Sequence, residues 1–260
     1  MPPPTYEHVL WIWMENHTWG QVLGDAKAAP YEALLAQQCG TATRYASVGS
    51  PSLPNYIGTT SGSTQGISDD AGPDAHRLTS DNLFRQVRTA GGTERSYEEA
   101  MTSPCQLSSV GRYAVKHNPA AYYVGADDRA ACEADDLPFA AFVAALAEDR
   151  LATFALVTPD LCHDTHDCGV SAGDAWLAQE LPALLRAPVY RAGMTVVFVV
   201  WDEYTPMPDL VIGPSVRPGT VLTTPVGHFA LLRTTEELLG LPALLGSAAS
   251  APSLRASFDI

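Results

Sequence analysis

The stretch Met194-Thr-Val-Val-Phe-Val-Val-Trp-Asp-Glu203 decides the architecture. From Thr195 to Trp201 it is apolar and β-branched, long enough for a strand buried on both faces, as in the middle of a parallel sheet. It stops abruptly at Asp202-Glu203. Two adjacent carboxylates at the end of a buried strand repel each other and resist desolvation unless a positive charge sits beside them. In open α/β sheets the carboxyl ends of the strands are where ligands bind. A metal ion at Asp202 and Glu203 is therefore the first functional expectation; a solvated Asp-Glu opening a loop is the plainer one.

Working outward, the same pattern recurs. His8-Val-Leu-Trp-Ile-Trp-Met14 reads as a first buried strand that ends in Glu15-Asn16-His17, and residues 153–157 as another, leading to the polar loop Asp160-Leu-Cys-His-Asp-Thr-His-Asp167. Helices are expected over 30–38, 82–90, 139–147, 174–185 and 229–239, with Asp81 capping the second and Asp174 opening the fourth. Short strands are expected over 45–48, 93–97 and 210–212, and a helix opening near Asn55. Alternation of strand and helix predicts an α/β three-layer sandwich, a mostly parallel central sheet with helices on both faces. No linker divides the 260 residues, so a single domain over 1–260 is expected, with its core in 9–241. Residues 99–138 read as an irregular excursion over the strand ends, a lid or pocket wall. Asp69-Asp70 reads as a solvated loop.

Composition narrows the partners. With 29 acidic and 15 basic residues the formal net charge is −14, and no basic stripe is present, which argues against nucleic acid and anionic membrane. No apolar run approaches the roughly 18–20 residues of a membrane helix. The written N-terminus, Met-Pro-Pro-Pro, has no basic and apolar leader, which points to the cytoplasm if it is native. Of the five cysteines, Cys162 and Cys168 flank the polar loop and could staple it, and Cys105 and Cys132 flank the excursion; both bridges together would place the protein in an oxidising compartment.

Three strands thus end in clusters of Glu, Asn, Asp and His, and in a parallel sheet such ends share one edge. Oxygen donors suit hard divalent cations, and the histidines bring in zinc, manganese or iron. Ser50-Pro-Ser-Leu-Pro-Asn55 adds Ser52 between two prolines. A serine hydroxyl becomes a competent nucleophile when a base or metal activates it. Gly-x-Ser-x-Gly and His-Glu-x-x-His are both absent, which removes the α/β-hydrolase elbow and the common metalloprotease site.

The ordered set Trp13-Met-Glu-Asn16, Pro51-Ser-Leu-Pro-Asn-Tyr56, Lys116-His-Asn-Pro119, Asp160-Leu-Cys-His-Asp-Thr-His-Asp167, Trp201-Asp-Glu203 and Gly227-His228 resembles the bacterial phosphoesterase family of acid phosphatases and phospholipases C, within the alkaline-phosphatase superfamily. The resemblance implies an alkaline-phosphatase-like fold and a phosphoric ester hydrolase that uses divalent metal (Zn, Mg, Mn or Ca). It implies metal ligands among Glu15, Asn16, Ser52, Asp202, Glu203, Asp164, His166, Asp167 and His228. Ser52 corresponds to the nucleophile, His117 and His166 to groups that contact phosphate or protonate the leaving group, and Asn16, Asn55, His117 and His163 to substrate-binding positions. Thr165 replaces the usual Met, Glu203 stands where many relatives have Asp or His, and Asp160 where many have Asn. The implied substrate is a small phosphate ester, and the implied setting is secreted or periplasmic. A phosphomonoesterase working through a phosphoserine is the leading expectation. A phosphodiesterase or phospholipase C is the neighbouring one. A non-catalytic ligand-binding relative is the alternative from another class, and Ser52, Glu15 and Asp202 argue against it.

Overall fold

The apolar run is a strand, β7, over Thr195–Trp201, with every residue buried. A computed structural model describes residues 2–260. β7 lies beside β1 (His8–Met14) in parallel register, His8 opposite Thr195 and Met14 opposite Trp201. Beyond β1 come β6 (Phe154–Thr158), β4 (Glu94–Glu98) and β5 (Asp136–Pro138), all parallel. On the other side of β7, β8 (Asp209–Ile212) pairs antiparallel. β2 (Gly40–Ala42) pairs antiparallel with β8 and parallel with β9 (Thr220–Leu222), completing an eight-stranded sheet. A two-stranded ribbon, β3 (Tyr45–Ala46) with β10 (Val226–Gly227), stands apart.

The alternation along β1 assigns the two covering layers, because successive side chains of a strand point to opposite faces. Trp11 and Trp13 face one helical layer: the Trp11 indole donates to Thr235 Oγ1 on α8 (His228–Leu238), and Trp13 packs on Tyr56 of α2 (Ser52–Ser61). Met14, one residue on, faces the other layer, where α1 (Pro30–Gln38) packs against α6 (Val170–Arg186). Gly173 of α6 permits that approach, since a Cβ there would collide with Thr165 and with Met14 Cε at 2.7 Å. The remaining helices are α3 (Leu83–Thr89), α4 (Asp128–Asp135), α5 (Ala140–Ala147), α7 (Pro188–Arg191) and α9 (Arg255–Phe258). The expected three-layer α/β sandwich is the observed fold.

Local differences have simple causes. The cap of α3 is Asn82, not Asp81: Asn82 Oδ1 accepts from Arg85 N–H at 2.9 Å. The helix expected to open at Asp174 begins at Val170, and the Asp174 carboxylate caps another helix, accepting from Tyr31 and Glu32 N–H at the start of α1. The helix expected near Asn55 starts at Ser52. Strands β2, β5, β9 and β10 have two or three residues each, too short for a period to show. The excursion 99–138 is not irregular throughout: it holds the 3-10 turns Val115–His117 and Pro119–Tyr122, then α4 and β5. Both expected disulfides are present, Cys105–Cys132 and Cys162–Cys168, and Cys39 is free. Among the described residues no helix is long and apolar enough to cross a membrane.

Candidate functional site

The site forms where β1, β6 and β7 end. Glu15 leaves β1 fully buried, and Asn16 turns the chain with φ of 61°, a left-handed conformation that Asn tolerates better than most residues. That turn aims Asn16 N–H at Asp202 Oδ1, 2.9 Å away at the end of β7. The loop after β6 is tied to the same point: Glu15 N–H donates to the Asp164 carbonyl at 2.7 Å, and the Thr165 hydroxyl donates to the Glu15 carbonyl at 2.6 Å. Thr165 thus takes up a backbone acceptor that the Met expected here could not have served.

Ser52 is the first residue of α2, and its hydroxyl donates to Glu15 Oε2 at 3.1 Å. Glu15 Oε1 accepts from the Tyr56 hydroxyl one turn further along α2. Position at a helix N-terminus favours negative charge on Ser52 Oγ, or on a phosphoryl group attached to it. His117 is brought from the excursion and lies between two carboxylates, Nδ1 at 3.2 Å from Asp164 Oδ2 and Nε2 at 3.4 Å from Glu15 Oε1. These are close approaches without the alignment of hydrogen bonds, and its ring stacks on Tyr56 with centroids 5.3 Å apart. His166 sits at the open edge: Nδ1–H donates to Asp167 at 2.7 Å, and Nε2 accepts from the Lys116 ammonium at 3.3 Å.

Electrostatically the cluster is unbalanced. Burial, with Asp202 and Asp164 alongside, pushes Glu15 well above the ordinary carboxylate range. Burial raises Asp164 to about 8, and raises Asp202. Burial, with Asp202 next to it, raises Glu203. His117 is driven well below its usual value by burial, with Lys116 and His166 adding to the effect. Four buried atoms here have no hydrogen-bond partner: Asn16 Oδ1, Asp164 Oδ2, Asp202 Oδ2 and His117 Nε2. Orphaned buried donors and acceptors are uncommon and call for an explanation. Carboxylate and amide oxygens with an imidazole nitrogen are a donor set that fits a divalent cation, which would also relieve the repulsion. Glu15, His117 and His166 each offer an atom within 4.8 Å of the others.

The residues expected at the site fall into two groups. Glu15, Asn16, Ser52, His117, Asp164, His166 and Asp202 converge, and Glu203 borders them, half-buried. The other four are engaged elsewhere. His228 was expected as a ligand, but both ring nitrogens are taken: Nε2–H donates to the Asp202 carbonyl at 2.7 Å, so Nδ1 accepts from the Tyr45 hydroxyl at 3.1 Å. It braces the end of β7 from beneath, and burial holds it neutral with a pKa of about 4. Asn55 was expected at the substrate; its Oδ1 instead accepts from Val48 and Gly49 N–H, fixing the loop before Ser52. His163 was expected at the substrate; it pairs with Glu99 at 2.8 Å and groups with Glu99 and Asp160 instead. Asp167 is exposed and orients His166. Tyr56, Thr165, Lys116 and Asp70 went unrecognised; the first three lie inside the quoted motifs, where position alone could have flagged them. Asp70 is no solvated loop residue, since it accepts from Leu53 N–H and from Lys116.

A sequence model of the Phosphoesterase family matches residues 13–207. The chain is 30% identical over 257 residues to a phosphatidylinositol-3-phosphatase of Mycobacterium tuberculosis, covering 96% of this chain and 82% of that protein. It is 26% identical over 252 residues to an acid phosphatase of Aspergillus fumigatus, covering 90% of this chain but 55% of the fungal protein, so it spans little more than half of that relative. Among solved structures, a protein in the alkaline phosphatase superfamily from Vibrio parahaemolyticus superposes with a TM-score of 0.64 at 15% identity, covering 98% of this chain and 72% of the other, a likeness of fold.

Proposed function

The chain belongs to the phosphoesterase family, and from that premise we propose that it is a divalent-metal-dependent phosphomonoesterase with Ser52 as nucleophile. The observation that carries the reading is Ser52 Oγ at the N-terminus of α2, 3.1 Å from the buried Glu15 carboxylate, with orphaned donor atoms of Asn16, Asp164 and Asp202 around it. Glu15, Asn16, Asp202 and Asp164 would hold the metal, with Glu203 and His117 at its border. Bound there, the metal would act as a Lewis acid on phosphate and lower the pKa of the serine hydroxyl.

The rest of the chemistry belongs to side chains of the chain. Ser52 Oγ passes its proton to Glu15 Oε2, its acceptor at 3.1 Å, and attacks phosphorus in line with the ester oxygen. The P–O bond to the leaving group breaks and a phosphoserine forms. Asn16, fixed by its bond to Asp202, helps keep the phosphoryl oxygens in place. The leaving alkoxide takes a proton from His166, whose ring Asp167 orients through Nδ1. Water then attacks phosphorus from the side the leaving group vacated, the P–Oγ bond breaks, Ser52 Oγ regains a proton and orthophosphate leaves, so two inversions retain configuration at phosphorus. Relatives named as a phosphatidylinositol-3-phosphatase and as acid phosphatases support a small phosphate monoester or a phosphorylated head group as substrate. The two disulfides support work in an oxidising compartment outside the cytosol.

The test is hydrolysis of p-nitrophenyl phosphate, with bis-p-nitrophenyl phosphate alongside. Activity is expected to vanish on chelation and return with a single divalent metal. Ser52→Ala should lower turnover by at least about 10³-fold with an unchanged near-UV spectrum. Acid-quenched enzyme should carry phosphate on the Ser52 peptide. Activity that survives chelation, or a Ser52→Ala variant near wild type, would sink the reading.

A further inference from the structure

The motif Lys116-His-Asn-Pro119 contains a cation that the metal site does not use as a ligand. The turn Val115–His117 places Lys116 next to His117, at the edge of the site. Its ammonium donates to Asp70 Oδ2 at 3.0 Å and to His166 Nε2 at 3.3 Å. The other oxygen of Asp70 accepts from Leu53 N–H at 3.0 Å, the amide that directly follows Ser52. One carboxylate therefore clamps the ammonium to the N-terminal turn of the nucleophile's helix. An ammonium has three donors, so one is left over. The side chain keeps 21% exposure, which leaves that donor reachable from the open side.

The surroundings explain what this charge is for. Lys116 feels Asp70, Glu15 and Asp202, and its charge also reaches Glu203. Arg112, the preceding cation of the excursion, is turned away towards Asp160 at 3.7 Å. A phosphate entering a ring of carboxylates meets repulsion that grows with its own charge. A monoester above its second pKa, near 6, carries two charges, whereas a diester carries one. A fixed ammonium next to the nucleophile favours the extra charge of the monoester, and lysine serves phosphate as a compact point charge.

We propose that Lys116 Nζ, aimed by Asp70, binds a non-bridging phosphoryl oxygen beside Ser52 and gives the site its selectivity for dianionic monoesters over monoanionic diesters. This rests on the phosphomonoesterase reading of the same site. A mere counterion role for Lys116 would weaken both substrates alike, so the ratio between them is the informative quantity.

The experiment compares metal-replete wild type, Lys116→Gln and Lys116→Arg at about pH 7.5, where the monoester is dianionic. Lys116→Gln should lower kcat/KM for p-nitrophenyl phosphate about 10- to 100-fold, and for bis-p-nitrophenyl phosphate less than about threefold. Lys116→Arg, which keeps the charge, should recover part of the loss and guards against a folding defect in the glutamine variant. Calorimetric titration with orthophosphate reads the same contact without turnover, and Lys116→Gln should weaken that binding at least about tenfold. Equal losses on both esters, or unchanged orthophosphate affinity, would overturn the proposal. If wild type cleaves neither ester but Lys116→Gln still weakens orthophosphate binding, the reaction falls and the anion site stands.

Discussion

Glu15 shows how much of this site is decided by single atoms. Its two carboxylate oxygens accept from Ser52 and Tyr56, its carbonyl from Thr165, and its amide donates to Asp164. The Tyr56 hydroxyl has no other acceptor among its hydrogen bonds, so its task is to orient the carboxylate. On the proposed metal-dependent reading Glu15 is a ligand, and outer partners of such a carboxylate typically govern affinity about 10- to 100-fold. Tyr56→Phe is accordingly expected to raise the divalent-metal concentration for half-maximal activity by about that factor. The fold should lose no more than about 1.5 kcal/mol. A metal titration of activity, paired with a denaturant melt, separates the two effects. An unchanged metal requirement would mean that Glu15 is held by Ser52 and the backbone alone.

The polar loop after β6 is an element whose shape depends on a covalent closure. Cys162–Cys168 encloses Asp164, Thr165 and His166, and Thr165 sits at φ of 79°, strained for a β-branched residue. A ring this small contributes about 2 kcal/mol by chain entropy, whereas the longer Cys105–Cys132 closure contributes about 3–4 kcal/mol. Replacing Cys162 and Cys168 together by Ser should lower Tm by about 5–10 °C. The same change should cut kcat/KM by at least about tenfold, because Asp164 and His166 lose their placement. Replacing Cys105 and Cys132 should cost more in Tm. Thermal melts and steady-state kinetics on both double variants check the contrast. Equal activity in the Cys162/Cys168 variant and wild type would show that the contacts of Glu15 with Asp164 and Thr165, and those of Asp160 Oδ1 with the Cys162 and His163 N–H groups, suffice to shape the loop.

On the scale of the whole molecule, the distinctive property is a set of buried acids that are not among the proposed metal ligands. Burial raises Asp209, Asp136 and Glu236 to about 8, and Glu94 to about 7 despite its pairing with Arg88. Unfolded, these groups titrate near 3.9–4.3. Above that range the folded state holds protons that the unfolded state has released. Their contribution to stability is complete below about pH 4 and is lost as pH rises through about 7 to 8. The midpoint of urea unfolding is therefore expected to fall between pH 5 and pH 8.5. Asp209 has no partner for either carboxylate oxygen, so Asp209→Asn, which cannot ionise, should flatten that slope and raise Tm at pH 8.5 relative to wild type. A flat profile in wild type would mean that these carboxyls find water or ionise in place.

By itself the sequence determined the layers and the edge on which the chemistry sits. An unbroken apolar run such as Thr195–Trp201 has only one comfortable place, the middle of a covered parallel sheet, and the carboxylates that end it must then lie at the sheet's ligand-binding edge. Local periodicity and an ordered series of motifs are one-dimensional signals, and they survive in a string of letters. Which members of those motifs face one another is three-dimensional. His228 and Asn55 lie within recognisable motifs yet spend their polar atoms on Asp202, Tyr45, Val48 and Gly49. Asp70 and Lys116, 46 positions apart, meet at the amide after Ser52. Only the tertiary structure decided these pairings, because a buried polar atom takes whichever partner packing brings within about 3 Å, and that distance is set by the whole fold rather than by neighbours in the chain.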